Sequence, residues 1–114
     1  MATERVLFRS ECTIDVTDFD AKPGDYIGYT CRCIIEIFST GRILFSSGSE
    51  ILEDIDMGDI VMASDNVNNY DPVHALEISI MTEEKDVRTT FRDKKLKTAC
   101  WRALRLCTAH SKVE

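Results

Sequence analysis

Hydrophobic and polar residues alternate along most of the chain before residue 93. In residues 5–16 every apolar side chain except Leu7 falls on an even position, from Val6 to Val16, whereas the charged side chains fall on odd positions. A period of two is typical of a β-strand that buries one face. The same period returns later in the chain. The pattern predicts seven antiparallel strands, at about residues 5–16, 26–38, 42–46, 50–55, 59–63, 75–82 and 86–92.

Turn-forming residues separate these segments. Gly, Pro, Ser and Asp cluster in residues 18–25, 39–42 and 46–49, and each cluster predicts a chain reversal. A further turn precedes the apolar run 60–62, which has the length of one buried strand. The polar stretch 64–72 predicts an exposed loop.

At Asp93 the period changes from 2 to 3.6, which predicts one helix at about residues 94–110 with Asp93 as its cap. Its apolar face carries Leu96, Cys100, Ala103, Leu104 and Cys107. Its opposite face is basic and carries Lys94, Lys95, Arg102 and Arg105. Lysines in the first turn oppose the helix macrodipole and weaken that end by about a few tenths of a kcal/mol. We expect the helix to pack on the sheet, with Trp101 contributing the largest apolar surface.

Composition agrees with one globular domain spanning residues 1–114, because 44% of the residues are hydrophobic and 30% are charged. A chain of this length buries roughly two thirds of its unfolded surface. No apolar run reaches the roughly 18 residues that span a bilayer, and the first residues lack the apolar stretch of a secretory signal. We therefore expect an intracellular, cytoplasmic protein. Ala2 occupies the position where myristoylation requires Gly, so attachment to the cytoplasmic face of a membrane would need a different, lipidated N-terminus.

Five cysteines, an odd number in a chain without an export signal, favour reduced thiols over structural disulfides. Cys31 and Cys33 supply half of a zinc site, but no second Cys or His pair follows at ligand spacing. We expect the cysteines to be small buried side chains, and we expect neither a metal nor a cofactor.

Charge is unevenly distributed along the chain. Residues 94–114 contain six basic residues and one acid, a net charge of +5, which leaves −11 on residues 1–93. Because an acidic body repels phosphate backbones, we expect no nucleic-acid partner. The chain has no Gly-rich phosphate loop, HExxH or GxSxG sequence, so we expect no enzymatic activity, with an unrecognised small enzyme as an alternative.

Seven short antiparallel strands in a four-plus-three order, closed by one C-terminal helix with a Trp near its middle, resemble the pleckstrin homology (PH) superfold. The resemblance is most specific at the end of the chain, where the segments 75–80 and 87–91 precede the helix around Trp101. It implies a mainly β fold, a bent seven-stranded antiparallel sandwich or barrel that the helix caps, with Trp101 as the plug of the open end. Only Trp101 matches the family residue by residue.

Phosphoinositide-binding PH domains carry a basic pattern on the first hairpin, and the resemblance assigns its outer positions to Lys22 and Arg32. The middle basic position falls on Thr30. Four carboxylates lie near this hairpin, at Asp15, Asp18, Asp20 and Asp25. Each carboxylate weakens the attraction for a head group, so we expect weak or no phosphoinositide binding. A phosphoinositide-binding PH domain for membrane targeting is the alternative.

Protein contacts are the function that the sequence favours, because PH-like domains that bind peptides use the groove beside the C-terminal helix or a strand edge. A basic partner-binding face is predicted at Lys94, Lys95, Arg102 and Arg105. Such a face suits an acidic partner, a second copy of the acidic body or an anionic membrane surface. Ile34 and Phe38 lie on the polar side of the second strand, where apolar residues indicate a partner surface or self-association.

Among small stand-alone proteins, the chain resembles the inner membrane complex sub-compartment proteins of apicomplexan parasites in its size, strand pattern and degraded basic site. That resemblance implies a PH-like scaffold that is held beneath a membrane by N-terminal acylation and acts through protein contacts. The predicted function is a non-enzymatic PH-like protein-interaction module at a membrane-associated or cytoskeletal site, without specific phosphoinositide binding.

Overall fold

The computed structural model describes residues 4–19, 28–65 and 76–112. They form seven strands and one helix, namely β1 (Val6–Asp18), β2 (Gly28–Phe38), β3 (Arg42–Ser47), β4 (Glu50–Asp56), β5 (Ile60–Asp65), β6 (Glu77–Thr82), β7 (Lys85–Thr90) and α1 (Lys94–Lys112). A short 3₁₀ turn, Met57–Asp59, joins β4 to β5. The predicted fold class, a mainly β chain with seven antiparallel strands and one C-terminal helix, is confirmed.

All seven strands belong to one curled antiparallel sheet with the order β4-β3-β2-β1-β7-β6-β5. β1 pairs with β2 along nearly its whole length, whereas only its residues 13–18 pair with β7. This long strand therefore joins a four-stranded half of the sheet to a three-stranded half. β4 and β5 form the two edges of the sheet. The architecture is compatible with a PH-like fold.

Alternate strand residues meet the helix in one core on the inner side of the sheet. The strand residues that are fully buried there include Ile14, Ile35, Ile37, Ile43, Phe45, Ile78, Ile80 and Val87. The helix adds the predicted apolar residues Cys100, Ala103, Leu104 and Cys107. Full burial of one large aliphatic or aromatic side chain stabilises the fold by about 1.5–3 kcal/mol, so this core is the main source of stability.

Two shifts in strand register expose residues that the sequence predicts to be buried. Residues 60–62 are predicted to form a buried strand, but Val61 is 57% exposed and Met62 is 51% exposed. That prediction is wrong because β5 is an edge strand whose pairing with β6 shifts between Ile60 and Met62. Val6, on the apolar face predicted for β1, is 49% exposed because the pairing with β2 shifts before Phe8.

The end of β5 contacts the helix. Ser64 and Asp65, which the sequence assigns to a loop, belong to β5, and the rest of that loop lies outside the described residues. The Asp65 carboxylate forms an ion pair with the ammonium of Lys97. Lys97 is only 2% exposed. The pair therefore fixes the helix against the end of the edge strand from inside the fold.

The helix begins as predicted, because Oδ1 of Asp93 accepts a hydrogen bond from the backbone N–H of Leu96 at 2.9 Å. Trp101 is half-buried and packs against the core, whereas Cys100 and Leu104 are the more deeply buried helix residues. Within the described part of the chain, no helix is both long enough and apolar enough to cross a membrane.

Candidate functional site

Three polar side chains meet at one open end of the curled sheet. Tyr29 lies near the start of β2, Glu53 lies on β4 and Lys85 is the first residue of β7. Glu53 shares its side of β4 with the buried Ile55, and Lys85 shares its side of β7 with the buried Val87. Strand alternation therefore directs these polar groups toward the end of the core. We call Tyr29, Glu53 and Lys85 the mouth cluster.

Glu53 is the centre of the mouth cluster. The Tyr29 hydroxyl donates a hydrogen bond to Oε2 of Glu53 at 2.5 Å, and Nζ of Lys85 donates to Oε1 at 2.7 Å. Glu53 is only 9% exposed, so its charge depends on these two partners. Burial and then the hydrogen bond to Glu53 raise the pKa of Tyr29. The same carboxylate raises the pKa of Lys85 and keeps its side chain an ammonium.

A cleft of about 410 Å³ adjoins the mouth cluster, between the two edge strands and the turn from β6 to β7. Its ionisable lining is mostly acidic and comprises Glu53, Asp54, Asp59, Glu83, Glu84 and Lys85. Val61 adds an exposed apolar side chain. We call this feature the acidic cleft. Its charge attracts cations and repels phosphate groups.

Two carboxylates of the acidic cleft have cationic partners, and three do not. Glu53 binds Lys85, and Asp54 binds the guanidinium of Arg42 through two hydrogen bonds of 2.9 and 3.0 Å. The side chains of the remaining three, Asp59, Glu83 and Glu84, form no ion pair with another described residue. These three exposed carboxylates are hydrated by solvent and are free to attract an external cation.

The structure does not bring Arg32, the described member of the predicted lipid-binding pair, to this cleft. Arg32 is exposed in the middle of β2, opposite Thr13, and lines a shallow depression together with Glu11 and Arg92. Lys22 lies outside the described residues. The Thr30 hydroxyl, in place of the middle basic residue of the pattern, donates a 3.5 Å hydrogen bond to Asp15.

The helix presents the second charged surface. The side chains of its predicted basic residues, Lys94, Lys95, Arg102 and Arg105, are all exposed, and they form no ion pair within the described part of the chain. Its first turn contains no acidic residue. Leu106, four residues after Arg102, is 55% exposed, so it lies near Arg102 on the outer side of the helix. We call these five residues the basic helix face.

Ile34 and Phe38, the predicted partner surface on β2, are half-buried. The Arg42 guanidinium lies 5.7 Å from the centre of the Phe38 ring, close enough for a cation–π interaction. The chain itself therefore covers part of this surface.

The cysteines are mostly buried, and two of them face each other. Cys12 and Cys33 are opposite residues of β1 and β2, with their sulfur atoms 3.7 Å apart. The hydrogen bond to Cys33 and burial raise the pKa of Cys12, and burial raises the pKa of Cys100 to about 12. Cys31 is half-buried. Within residues 4–19, 28–65 and 76–112, no group of three or more His, Cys, Asp and Glu residues is arranged to hold a metal ion.

Sequence reasoning missed both the mouth cluster and the buried Lys97. Each has a signal in the sequence. Glu53 falls on the same strand parity as Ile51 and Ile55, and Lys97 lies three residues before Cys100 on the apolar arc of the helix. A charged residue at an apolar position indicates a buried ionic partner.

The sequence matches no family model and shows no significant similarity to a curated protein.

Proposed function

We propose that this chain is a non-enzymatic PH-like protein-interaction module that does not bind phosphoinositides specifically. The observation that carries the proposal is the acidic cleft beside the mouth cluster. Lys85 is the one basic residue among the described residues that line the cleft, and its ammonium is bound to Glu53. A phosphate that enters meets carboxylates, and each pair of like charges about 4 Å apart costs about 1 kcal/mol in water and about 4 kcal/mol near a protein surface.

The basic helix face supports the protein-binding half of the proposal. Its four cations have no partner among the described residues, and Leu106 adds exposed apolar area beside them. Charged groups around an apolar contact give a protein interface its specificity and its association rate. An acidic protein surface has the matching chemistry.

The resemblance to the inner membrane complex sub-compartment proteins extends the proposal to a location. A scaffold of this kind acts on the cytoplasmic face of a parasite membrane or on the cytoskeleton beneath it. Acylation of an N-terminal segment would supply the attachment, because an acidic body gains nothing from an anionic lipid surface.

Vesicle co-sedimentation separates this proposal from the lipid-binding alternative. Vesicles of phosphatidylcholine and phosphatidylserine, with and without phosphatidylinositol bisphosphate, are spun with the full chain and with Lys22→Ala combined with Arg32→Ala. We expect equal sedimentation with both vesicle types and no effect of the substitutions. Salt-sensitive sedimentation that needs the phosphoinositide and disappears in the double variant would support the lipid-binding function instead.

Partner capture tests the protein-binding half. The immobilised wild-type chain and a helix variant, Arg102→Glu combined with Arg105→Glu, are each incubated with a cell extract. A control chain, Arg5→Glu combined with Arg32→Glu, changes the net charge by the same amount. We expect a protein that the wild-type and control chains retain and the helix variant loses. Equal capture by all three chains would contradict a role for the helix.

A further inference from the structure

We infer that copies of this chain associate head to tail, with the basic helix face of one copy docked in the acidic cleft of the next. The inference rests on the proposed function as an interaction module and identifies its partner as a second copy of the chain. The two surfaces belong to different elements: the basic helix face lies on α1, and the acidic cleft lies between β4, β5 and the β6–β7 turn.

The charges of the two surfaces match. The helix face offers four cations that form no ion pair within the described part of the chain, and two of them, Lys94 and Lys95, lie in the first turn of the helix. The cleft offers the carboxylates of Asp59, Glu83 and Glu84, which lack ion partners within the same residues. Docking brings each set of charges to the opposite set, which steers association and fixes its orientation.

Exposed apolar side chains accompany the charges on both surfaces. On the helix, Leu106 is 55% exposed. At the cleft, Val61 is 57% exposed. Contact between these side chains removes apolar area from water and adds a favourable term that salt does not screen.

A helix suits the cleft better than an added strand does. Strand addition needs a regular row of backbone groups along a sheet edge. β5 has only six residues, and its pairing shifts between Ile60 and Met62. Because a shift of this kind bends and twists an edge, it disfavours backbone pairing and leaves side-chain contacts as the means of docking.

The two surfaces share no residue, so the contact is heterologous. Each copy that docks through its helix still offers its own cleft to another copy. Such contacts build rings when the rotation closes and open filaments when it does not. A head-to-tail assembly of several copies would extend over a longer distance than one small domain, as a scaffold requires.

Sedimentation velocity of the full chain over a range of concentrations tests the inference. Two salt concentrations are compared, about 0.1 M and about 1 M, where the Debye length is about 10 Å and about 3 Å. The helix variant combines Lys95→Glu with Arg102→Glu, and the cleft variant combines Glu83→Lys with Glu84→Lys. A control that combines Arg5→Glu with Arg32→Glu changes the net charge as the helix variant does. Circular dichroism verifies that each chain is folded.

We expect the wild-type and control chains to exceed the mass of a dimer at low salt and to dissociate at high salt. The helix and cleft variants should each associate at least tenfold more weakly. A chain that carries all four reversals should recover part of the association that each pair of reversals loses, because its two new helix carboxylates can pair with its two new cleft lysines. A wild-type chain that stays monomeric at low salt, or a four-fold variant that does not recover, would overturn the inference. Vesicle sedimentation and partner capture would still decide the proposed function independently.

Discussion

The ammonium of Lys85 lies 2.7 Å from Oε1 of Glu53, and this contact joins β7 to β4, which three other strands separate in the sheet. Tyr29, from β2, binds the other oxygen of the same carboxylate. Side chains thus connect parts of the curled sheet that are not neighbours in the strand order. The same contact neutralises the cation that lines the acidic cleft.

Replacement of Glu53 tests the mouth cluster. We expect Glu53→Gln to lower the free energy of unfolding by about 1.5–3 kcal/mol, the range for hydrogen bonds to a charged group, because Lys85 and Tyr29 lose their shared ionic acceptor. Urea denaturation measures this change. Glu50→Gln, at an exposed position of the same strand, is the matched control and should stay within about 0.5 kcal/mol of wild type. Similar losses of stability in the two variants would show that the hydrogen bonds of Glu53 do not stabilise the fold.

The mouth cluster also predicts a loss of stability in alkali. The pKa values of Lys85 and Tyr29 are both raised above their ordinary values near 10, so the fold favours their protonated forms. The stabilisation is fully present below these ordinary values and is lost as the pH rises above them, because the unfolded chain releases its protons first. Urea denaturation between about pH 9 and pH 11 measures this loss.

Tyrosinate absorbance tests the raised pKa of Tyr29 directly. The difference between the titration curves of the wild-type chain and Tyr29→Phe isolates the phenol of Tyr29, which should ionise above its ordinary pKa of about 10. Glu53→Gln should shift this ionisation to lower pH and flatten the alkaline loss of stability. An ordinary titration of Tyr29 in the wild-type chain would contradict the hydrogen bond to Glu53.

The Lys97–Asp65 ion pair predicts strong coupling between its members. We expect Asp65→Asn to cost about 3 kcal/mol of unfolding free energy, because it leaves the buried ammonium of Lys97 without its counter-ion. Lys97→Met should lower the free energy of unfolding by less than Asp65→Asn does, because the Asp65 carboxylate that it leaves without a partner is partly exposed to solvent. The double variant should recover much of the loss, because it removes both charges. A double-mutant cycle by urea denaturation measures the coupling, and additive losses would show that the pair does not act as a unit.

Thiol reactivity tests which cysteine side chains are buried in the folded chain. A thiol reacts as its thiolate and only when reagent reaches it, so burial slows the reaction of Cys12, Cys33, Cys100 and Cys107. We expect a disulfide reagent at about pH 8 to modify one thiol rapidly in the folded chain. Cys31→Ser should remove that phase, and the other thiols should react after unfolding in urea. Rapid modification of several thiols in the folded chain would contradict the core described above.

The sequence predicts the fold class well because its signals are local. Alternation defines strands, and the change of period at Asp93 defines the helix and its cap. Burial at the sheet edge was harder to predict, since Val61 and Met62 look like core residues until the strand order shows that β5 has only one neighbour. Strand order depends on long-range pairing, which periodicity does not encode.

The candidate site was less predictable than the fold. Tyr29, Glu53 and Lys85 are distant in sequence, and they meet only because the sheet curls. The basic helix face follows from a 3.6-residue period within one element, so the sequence alone predicts its charged residues. The acidic cleft needed the relation between β4, β5 and the β6–β7 turn, which only the structure supplies.

We propose that neither the first hairpin nor the acidic cleft of this chain binds a phosphate group. Titration of the isotopically labelled chain with a soluble inositol polyphosphate, followed by amide chemical shifts in NMR spectra, tests it most directly. We expect no saturable shift for Thr30, Arg32 or Lys85 at physiological salt. Saturable shifts at Thr30 and Arg32 that disappear in Lys22→Ala combined with Arg32→Ala, or saturable shifts at Lys85, would contradict this proposal.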